Sequence, residues 1–170
     1  MGAAGALNDE RFTPAKYVNA VRDVLGTIDL DPASCDVAQQ TVKASRYFTI
    51  EDDGLQQEWH GQVFLNPPYY RALIAAFVAK LLADFKAGRV REAILVTNSD
   101  TSTKWWHDAF RSCSAICFTK SRIWFEHRSE AELPKPLFGS TFFYFGDDVP
   151  KFAGRFASIG CLSVPLRVGD

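Results

Sequence analysis

The stretch Gln62-Val63-Phe64-Leu65-Asn66-Pro67-Pro68-Tyr69 decides the fold. Its first four residues are a short apolar run, which predicts a buried strand. Beyond it, residues 71–86 carry Leu73, Ile74, Phe77, Val78, Leu81, Leu82 and Phe85 at helical spacing, which predicts a long helix with one core face. A stiff polar tetrapeptide therefore sits between a strand and a helix, where open α/β sheets place their sites. Each proline holds φ near about −65°, and Asn66 and Pro67, both preceding a proline, are pushed towards extended geometry. The tetrapeptide presents the Asn66 amide, free carbonyls and the Tyr69 ring. Two acceptors, the Asn66 side-chain oxygen and the Pro67 carbonyl, suit the two hydrogens of an aromatic amine, and drawing on both would localise its lone pair. Tyr69 suits stacking on a base taken out of a duplex. The residues also allow a plain proline-stiffened turn with Tyr69 packed inward.

Elements alternate outward from this point. On the N-terminal side, Thr13-Pro14 predicts a helix start, with Thr13 as N-cap and Pro14 as the first helical residue. Tyr17, Val18, Val21, Val24 and Leu25 form its core stripe, and Gly26 ends it. Residues 27–31 alternate as a strand stopped by Pro32; residues 37–45 read as a short helix, and residues 46–50 as strand or loop. On the C-terminal side, residues 92–97 read as a buried strand. Residues 103–111 read as a helix holding Trp105 and Trp106, whose pairing suits core packing better than base stacking. Residues 115–119 and 122–125 are strand-like, 129–137 a surface loop, 139–145 a strand, 149–157 a short helix and 158–164 a last strand. Strands alternate with helices first and dominate later. This predicts an α/β fold with a mostly parallel sheet and a C-terminal antiparallel hairpin.

The tetrapeptide Asn66-Pro67-Pro68-Tyr69 resembles the catalytic motif of the S-adenosylmethionine-dependent amino-methyltransferases. The forms Asp29-Leu30-Asp31-Pro32-Ala33 and Asp53-Gly54-Leu55 with Trp59, at their spacing from the tetrapeptide, are similar to the phage- and prophage-type DNA N-6-adenine methyltransferases. The resemblance runs over roughly residues 8–164. It implies a Rossmann-like methyltransferase fold and methyl transfer to the exocyclic amine of adenine in DNA. It implies catalytic roles for Asn66, Pro67, Pro68 and Tyr69, and a cofactor site of Thr13, Pro14, Asp31, Pro32, Ala33 and Asp53. The sequence departs from the family pattern after Ser34, where Cys35-Asp36-Val37 stand in place of a Gly-x-Gly turn. Glycine is what lets backbone approach a ligand closely, so the cofactor is expected to sit differently or bind weakly. The same fold acting on an RNA base or a protein glutamine, and a degenerate binding protein without turnover, remain open alternatives.

Lys120, Arg122, Trp124, Phe125, His127 and Arg128 mix cations with rings, as suits flipped or single-stranded nucleotides. The first four of these join Tyr69 as expected substrate contacts, with Trp124 or Phe125 closing over the base. Plain sheets show the same composition. Residues 26–66 hold seven acids against two bases, and residues 101–128 five bases against two acids. One half suits a cationic cofactor and the other a phosphate backbone, although such charges also merely solvate exposed faces.

At 170 residues, 47% hydrophobic and 23% charged, the chain is expected to be one globular catalytic domain, with residues 1–8 flexible. No apolar run approaches the roughly 20 residues of a membrane span, and no signal peptide is visible, so a cytoplasmic place in a bacterial host is expected. Four scattered cysteines and three histidines follow no metal-ligand spacing, so no metal is expected. No extra base-reading domain is visible, which leaves loops at 98–103 and 126–137 to read sequence.

Overall fold

Alternation along the central strands sorts the core into two halves. Val63 and Leu65 face one side of the sheet and Phe64 the other. Ala93 and Leu95 part from Ile94 and Val96 in the same way, as do Phe143 and Phe145 from Phe142 and Tyr144. One half packs with Ile74, Phe77, Val78, Leu81 and Trp106, the other with Tyr17, Val18, Val21, Phe152 and Phe156. Helices therefore cover both faces of one sheet. The coordinates are a computed structural model that describes residues 11–126 and 136–166. Residues 1–8, His127, Arg128 and residues 129–135 of the expected surface loop lie outside the described residues.

In chain order the elements are α1 (Ala15–Leu25), β1 (Leu30–Asp31), α2 (Asp36–Val42), β2 (Arg46–Tyr47), β3 (Gly61–Leu65) and α3 (Arg71–Lys86). They continue as β4 (Val90–Asn98), α4 (Lys104–Ser112), β5 (Ala115–Thr119), β6 (Ser140–Phe145), α5 (Val149–Phe156) and β7 (Gly160–Ser163). The sheet order is β2-β1-β3-β4-β6-β5-β7. From β1 the chain crosses through α2 to β2 on one side; from β3 it crosses through α3 to β4 on the other. The order thus reverses between β1 and β3, and the carboxyl ends of those two strands flank an uncovered crevice.

The sheet is mixed, which corrects the expected mostly parallel one. The β1–β2, β1–β3 and β3–β4 pairs are parallel, whereas β4–β6, β5–β6 and β5–β7 are antiparallel. The antiparallel part is larger than the expected hairpin: the consecutive strands β5 and β6 pair antiparallel, β6 also pairs with β4, and β7 adds to β5. All six residues of β6 are buried. A strand covered on both faces has the same apolar run whichever way it points, so hydropathy could not assign its direction.

Residues 122–125 are not a strand, again against expectation. Ile123 is buried in the α1–α5 half of the core, Phe125 packs on its edge, and Trp124 is 56% exposed. The segment leaves the carboxyl end of β5 and reaches the N-terminal segment, where Phe12 and Glu126 exchange backbone hydrogen bonds of 2.8 and 2.9 Å. Its alternation reflects a strap lying over the core, without a ladder partner along its length.

Two glycines allow close approaches, one beside β1 and one at β7. Gly61 has φ 78°, and a Cβ there would lie 2.2 Å from Asp29 Oδ2. The Asp29 carboxylate uses that space to accept the Gln62 N–H at 2.9 Å and the Thr27 hydroxyl at 2.9 Å, with Arg91 at 3.3 Å. Burial alone would raise the Asp29 pKa, but these bonds outweigh it and hold the carboxyl below its usual range. Gly160 meets the Phe118 carbonyl, to which a Cβ would come within 1.9 Å, and so seats β7 against β5.

Phe143 lies at the centre of β6 with no exposed surface. Phe143→Ala is expected to lower the unfolding free energy by about 3–5 kcal/mol, read from the urea midpoint at unchanged m-value.

Candidate functional site

The crevice between β1 and β3 is a cleft of about 210 Å³. Asp31, Pro32, Ala33, Ser34 and Cys35 from the β1–α2 turn line one wall. Asn66, Pro67, Pro68 and Tyr69, with Leu73 and Phe77 of α3, line another. Thr13 and the loop residues Thr49, Ile50, Asp53, Gly54 and Leu55 complete it. The structure thus brings nine of the ten expected catalytic and cofactor residues to one place: Asn66, Pro67, Pro68, Tyr69, Thr13, Asp31, Pro32, Ala33 and Asp53. The tenth, Pro14, does not line the cleft.

The Asn66 amide is oriented by a segment far away in sequence. Its Nδ2 donates to the Arg11 carbonyl at 2.7 Å. A carbonyl only accepts, so this bond fixes which end of the amide faces which way. Oδ1 is left buried with no hydrogen-bond partner among the described residues. A buried acceptor left so costs about 1–3 kcal/mol, and such costs gather where a ligand supplies the missing donor. Tyr69 sits beside it, its ring edge-on to Phe125 at 6.1 Å and 90°.

Thr13 is not the cap of α1, against expectation. The helix begins at Ala15, its N-cap is Pro14, and no side chain caps it. The Phe12–Glu126 pairing holds the preceding backbone extended. The Thr13 hydroxyl is buried without a partner among the described residues, and Thr13 lines the cleft instead of capping the helix.

Asp31 ends β1 and is 3% exposed. Burial pushes its pKa up to about 6, against hydrogen bonds from Ser34, the Ala33 N–H and Gln39 that favour the charged form. Nearby acids divide their tasks. Asp52 accepts the N–H and hydroxyl of Thr49, each at 2.8 Å, which ties the turn and holds its carboxyl low. Asp53 has φ 49°, a left-handed conformation that Asp tolerates. Its carboxylate accepts the Leu55 N–H at 3.2 Å and lines the cleft.

Gly54 joins the β1–α2 turn to the loop that carries Asp53. A Cβ on it would fall 2.0 Å from the Pro32 carbonyl oxygen. The Gly54 carbonyl in turn accepts the Trp59 Nε1–H at 2.8 Å, inside the core. Trp59 is fully buried, stacked on Phe77 at 5.9 Å. The spacing from Asp53 through Trp59 is therefore a packing unit that presses the acid loop against Pro32. No residue of the β1–α2 turn has positive φ; the close glycine contact is made from the neighbouring loop.

The expected substrate residues Lys120, Arg122 and Trp124 do not line the cleft and are exposed, and Arg122 donates to the Pro136 carbonyl at 3.0 Å. Phe125 reaches the site only through its contact with Tyr69. Trp124 therefore does not contribute to the cleft wall. Residues not anticipated include Arg11, which acts through its backbone carbonyl, and Gln39, which holds Asp31. A backbone carbonyl has no sequence signature, and Gln39 looks no different from Gln40. Ile50, exposed at the mouth, and Leu73 carried no signal beyond hydrophobicity. Among the described residues no group of three or more His, Cys, Asp or Glu gathers to hold a metal ion, and no helix is long and apolar enough to cross a membrane.

Gly54→Ala forces a methyl group onto backbone rather than a movable side chain. Overpacking of this kind costs about 1–3 kcal/mol, and a matching drop in thermal stability is expected. The Asp31 carboxyl binds its proton more tightly folded than unfolded, so its stabilising contribution is complete below about pH 4 and is lost as pH rises through about 6. Asp31→Asn is expected to remove that falling limb from the pH profile of unfolding free energy. An identical profile for both proteins would contradict the burial argument.

A family model described as DNA N-6-adenine-methyltransferase (Dam) matches residues 4–138. No curated protein and no solved structure matches the chain. The match spans more than three quarters of the sequence and contains every element of the cleft. The chain belongs to the Dam family of DNA N-6-adenine-methyltransferases, enzymes that methylate the amino group of adenine in DNA.

Proposed function

We propose that the cleft between β1 and β3 holds S-adenosylmethionine beside an adenine turned out of the duplex, and that the chain forms a single Rossmann-like methyltransferase domain of phage or prophage type. The observation that carries this reading is the Asn66 amide: Nδ2 tied to the Arg11 carbonyl, Oδ1 buried and unpartnered. That acceptor suits an amine hydrogen, and its orientation is set before any substrate arrives. The donor set fits the cofactor as well. The Asp31 carboxylate would meet positive charge, the unpartnered Thr13 hydroxyl would bond a polar group of the methionine part, and Asp53 would accept from the adenine amine. Pro32 and Ala33 would form the apolar wall beneath it, with Pro14 supporting Thr13 from behind.

When bound, S-adenosylmethionine supplies an electrophilic methyl group. The protein's task is then placement. The Asn66 Oδ1 and the Pro67 carbonyl would accept the two amine hydrogens and localise the nitrogen lone pair. Pro68 would keep that arm rigid, and Tyr69, braced edge-on by Phe125, would stack on the base. Rigid alignment of this kind supplies several kcal/mol of barrier reduction. No strong base is required, because the amine loses its proton after the nitrogen has become cationic. Lys120, Arg122 and Trp124, exposed on the strap that ends beside Tyr69, would follow the DNA backbone and neighbouring bases outside the cleft. Such an enzyme would work in the cytoplasm of a bacterial host, where its DNA is.

Tritiated-methyl transfer to unmethylated DNA, with mass spectrometry of the product nucleosides, tests the reading. Wild type is expected to yield N-6-methyladenine. Asn66→Ala is expected to lower kcat by about 10²–10³-fold with S-adenosylmethionine affinity and melting temperature unchanged. A mutant at full rate would remove Asn66 from the chemistry.

A further inference from the structure

We infer that Gln39 is a positioning residue for the cofactor acid: its side-chain amide, reaching from α2 into the β1–α2 turn, locks Asp31 and Ser34 into one arrangement in a turn that lacks Gly-x-Gly. This inference rests on the reading of Asp31 given above.

Both polar atoms of the Gln39 side chain are engaged. Nε2 donates to Asp31 Oδ2 at 2.9 Å and to Ser34 Oγ at 2.7 Å. Oε1 accepts the Ala44 N–H at 2.9 Å. Ala44 requires an acceptor and Asp31 a donor, so only one orientation of the amide satisfies both. The backbone is held too: the Gln39 N–H bonds the Cys35 carbonyl at 3.1 Å, and the Gln39 carbonyl accepts from Lys43, whose φ of 50° turns the chain so that Ala44 faces back. Gln39 thus spans the turn at one end of α2 and the chain leaving the other.

The effect on Asp31 is asymmetric. Oδ2 is engaged by Gln39 at 2.9 Å, whereas the Ala33 N–H reaches Oδ1 at a long 3.4 Å, and Ser34 adds a further bond to the carboxyl. Oδ1 is the oxygen left for a ligand. The groups around Asp31 explain why a neutral amide matters here. Arg11, Cys35 and Asp53 line the same cleft from the N-terminal segment, the turn and the acid loop. Tyr47 stands opposite Asp31 in the β1–β2 ladder, but its hydroxyl donates to Asp36 at 2.8 Å. From β3 the ladder offers only Val63, opposite Leu30. No cation is paired with Asp31 among the hydrogen bonds and ion pairs described, so neutral donors keep the buried carboxylate ionised. The Gln39 bond, at 2.9 Å, is shorter than the 3.4 Å bond from the Ala33 N–H. Without it, burial acts with less opposition and the carboxyl holds its proton to higher pH.

The test uses Gln39→Met, which keeps the length and packing of the side chain, with Gln39→Ala as second variant and Asp31→Asn as reference. The Asp31 carboxyl is titrated by carbon-13 NMR in the ligand-free protein, and S-adenosylmethionine affinity is measured by calorimetry from pH 5.5 to 8.5. Loss of the amide is expected to raise the Asp31 midpoint by about one pH unit. Affinity is expected to weaken nearly tenfold at pH 5.5, about threefold near pH 6.5 and far less at pH 8.5, where the carboxyl is ionised in either protein. KM for DNA is expected to stay unchanged. An unshifted midpoint in both Gln39 variants, with Asp31→Asn still weakening the cofactor, overturns the role of Gln39 alone. Undiminished affinity in Asp31→Asn overturns the underlying reading of Asp31, and the inference with it.

Discussion

Reversal of strand order between β1 and β3 is the constraint on which the site depends. Helices α2 and α3 leave those strands in opposite directions and pack on opposite faces, so neither can cover the gap between them. The chain fills the gap with short, stiff and polar segments. On the β1 side these are Asp31 and the turn behind it; on the β3 side they are Asn66 and two prolines. An acid and an amide acceptor then face the same crevice because two parallel strands end side by side.

Those groups are held at the expense of the fold. Among the described residues, the Asp31 carboxyl is buried without a paired cation, and the Thr13 hydroxyl and Asn66 Oδ1 are buried without partners. Each is worth of the order of 1–3 kcal/mol against stability. The opposing contribution comes from a core of large rings packed on both faces of β6, including Tyr144 on Phe152 at 5.0 Å and Phe152 on Phe156 at 4.4 Å. These rings lie across the sheet from the cleft, on β6 and α5. Stability and recognition are therefore drawn from different parts of one sheet.

Much of this was legible in the sequence, for identifiable reasons. The stripes of α1 and α3 and the apolar runs of β3 and β4 are periodic signals, and the structure has those elements within a few residues of the expected bounds. The tetrapeptide was legible because proline restricts its own and its neighbour's backbone. Three features were not. The direction of β6 depends on a long connection rather than on its composition. Residues 122–125 alternate as a strand does, but they follow the core surface. The Thr13-Pro14 start was read as a cap because local propensity favours it, whereas a distant pairing between Phe12 and Glu126 sets its conformation. The roles of Arg11 and Gln39 rest on contacts across 55 and 8 residues respectively, which no local pattern encodes.

The bond from Asn66 to the Arg11 carbonyl also changes what counts as an alteration of the proposed active site. The acceptor in that bond is a main-chain carbonyl, so replacing the Arg11 side chain leaves it in place. Moving the backbone there does not. A tag, fusion or truncation placed just ahead of Phe12 tugs on the segment that sets the amide's rotation, and Phe12 transmits the same pull to the Tyr69 side through Glu126 and Phe125. For this protein, choosing where to attach an affinity handle is a decision about chemistry as much as about purification.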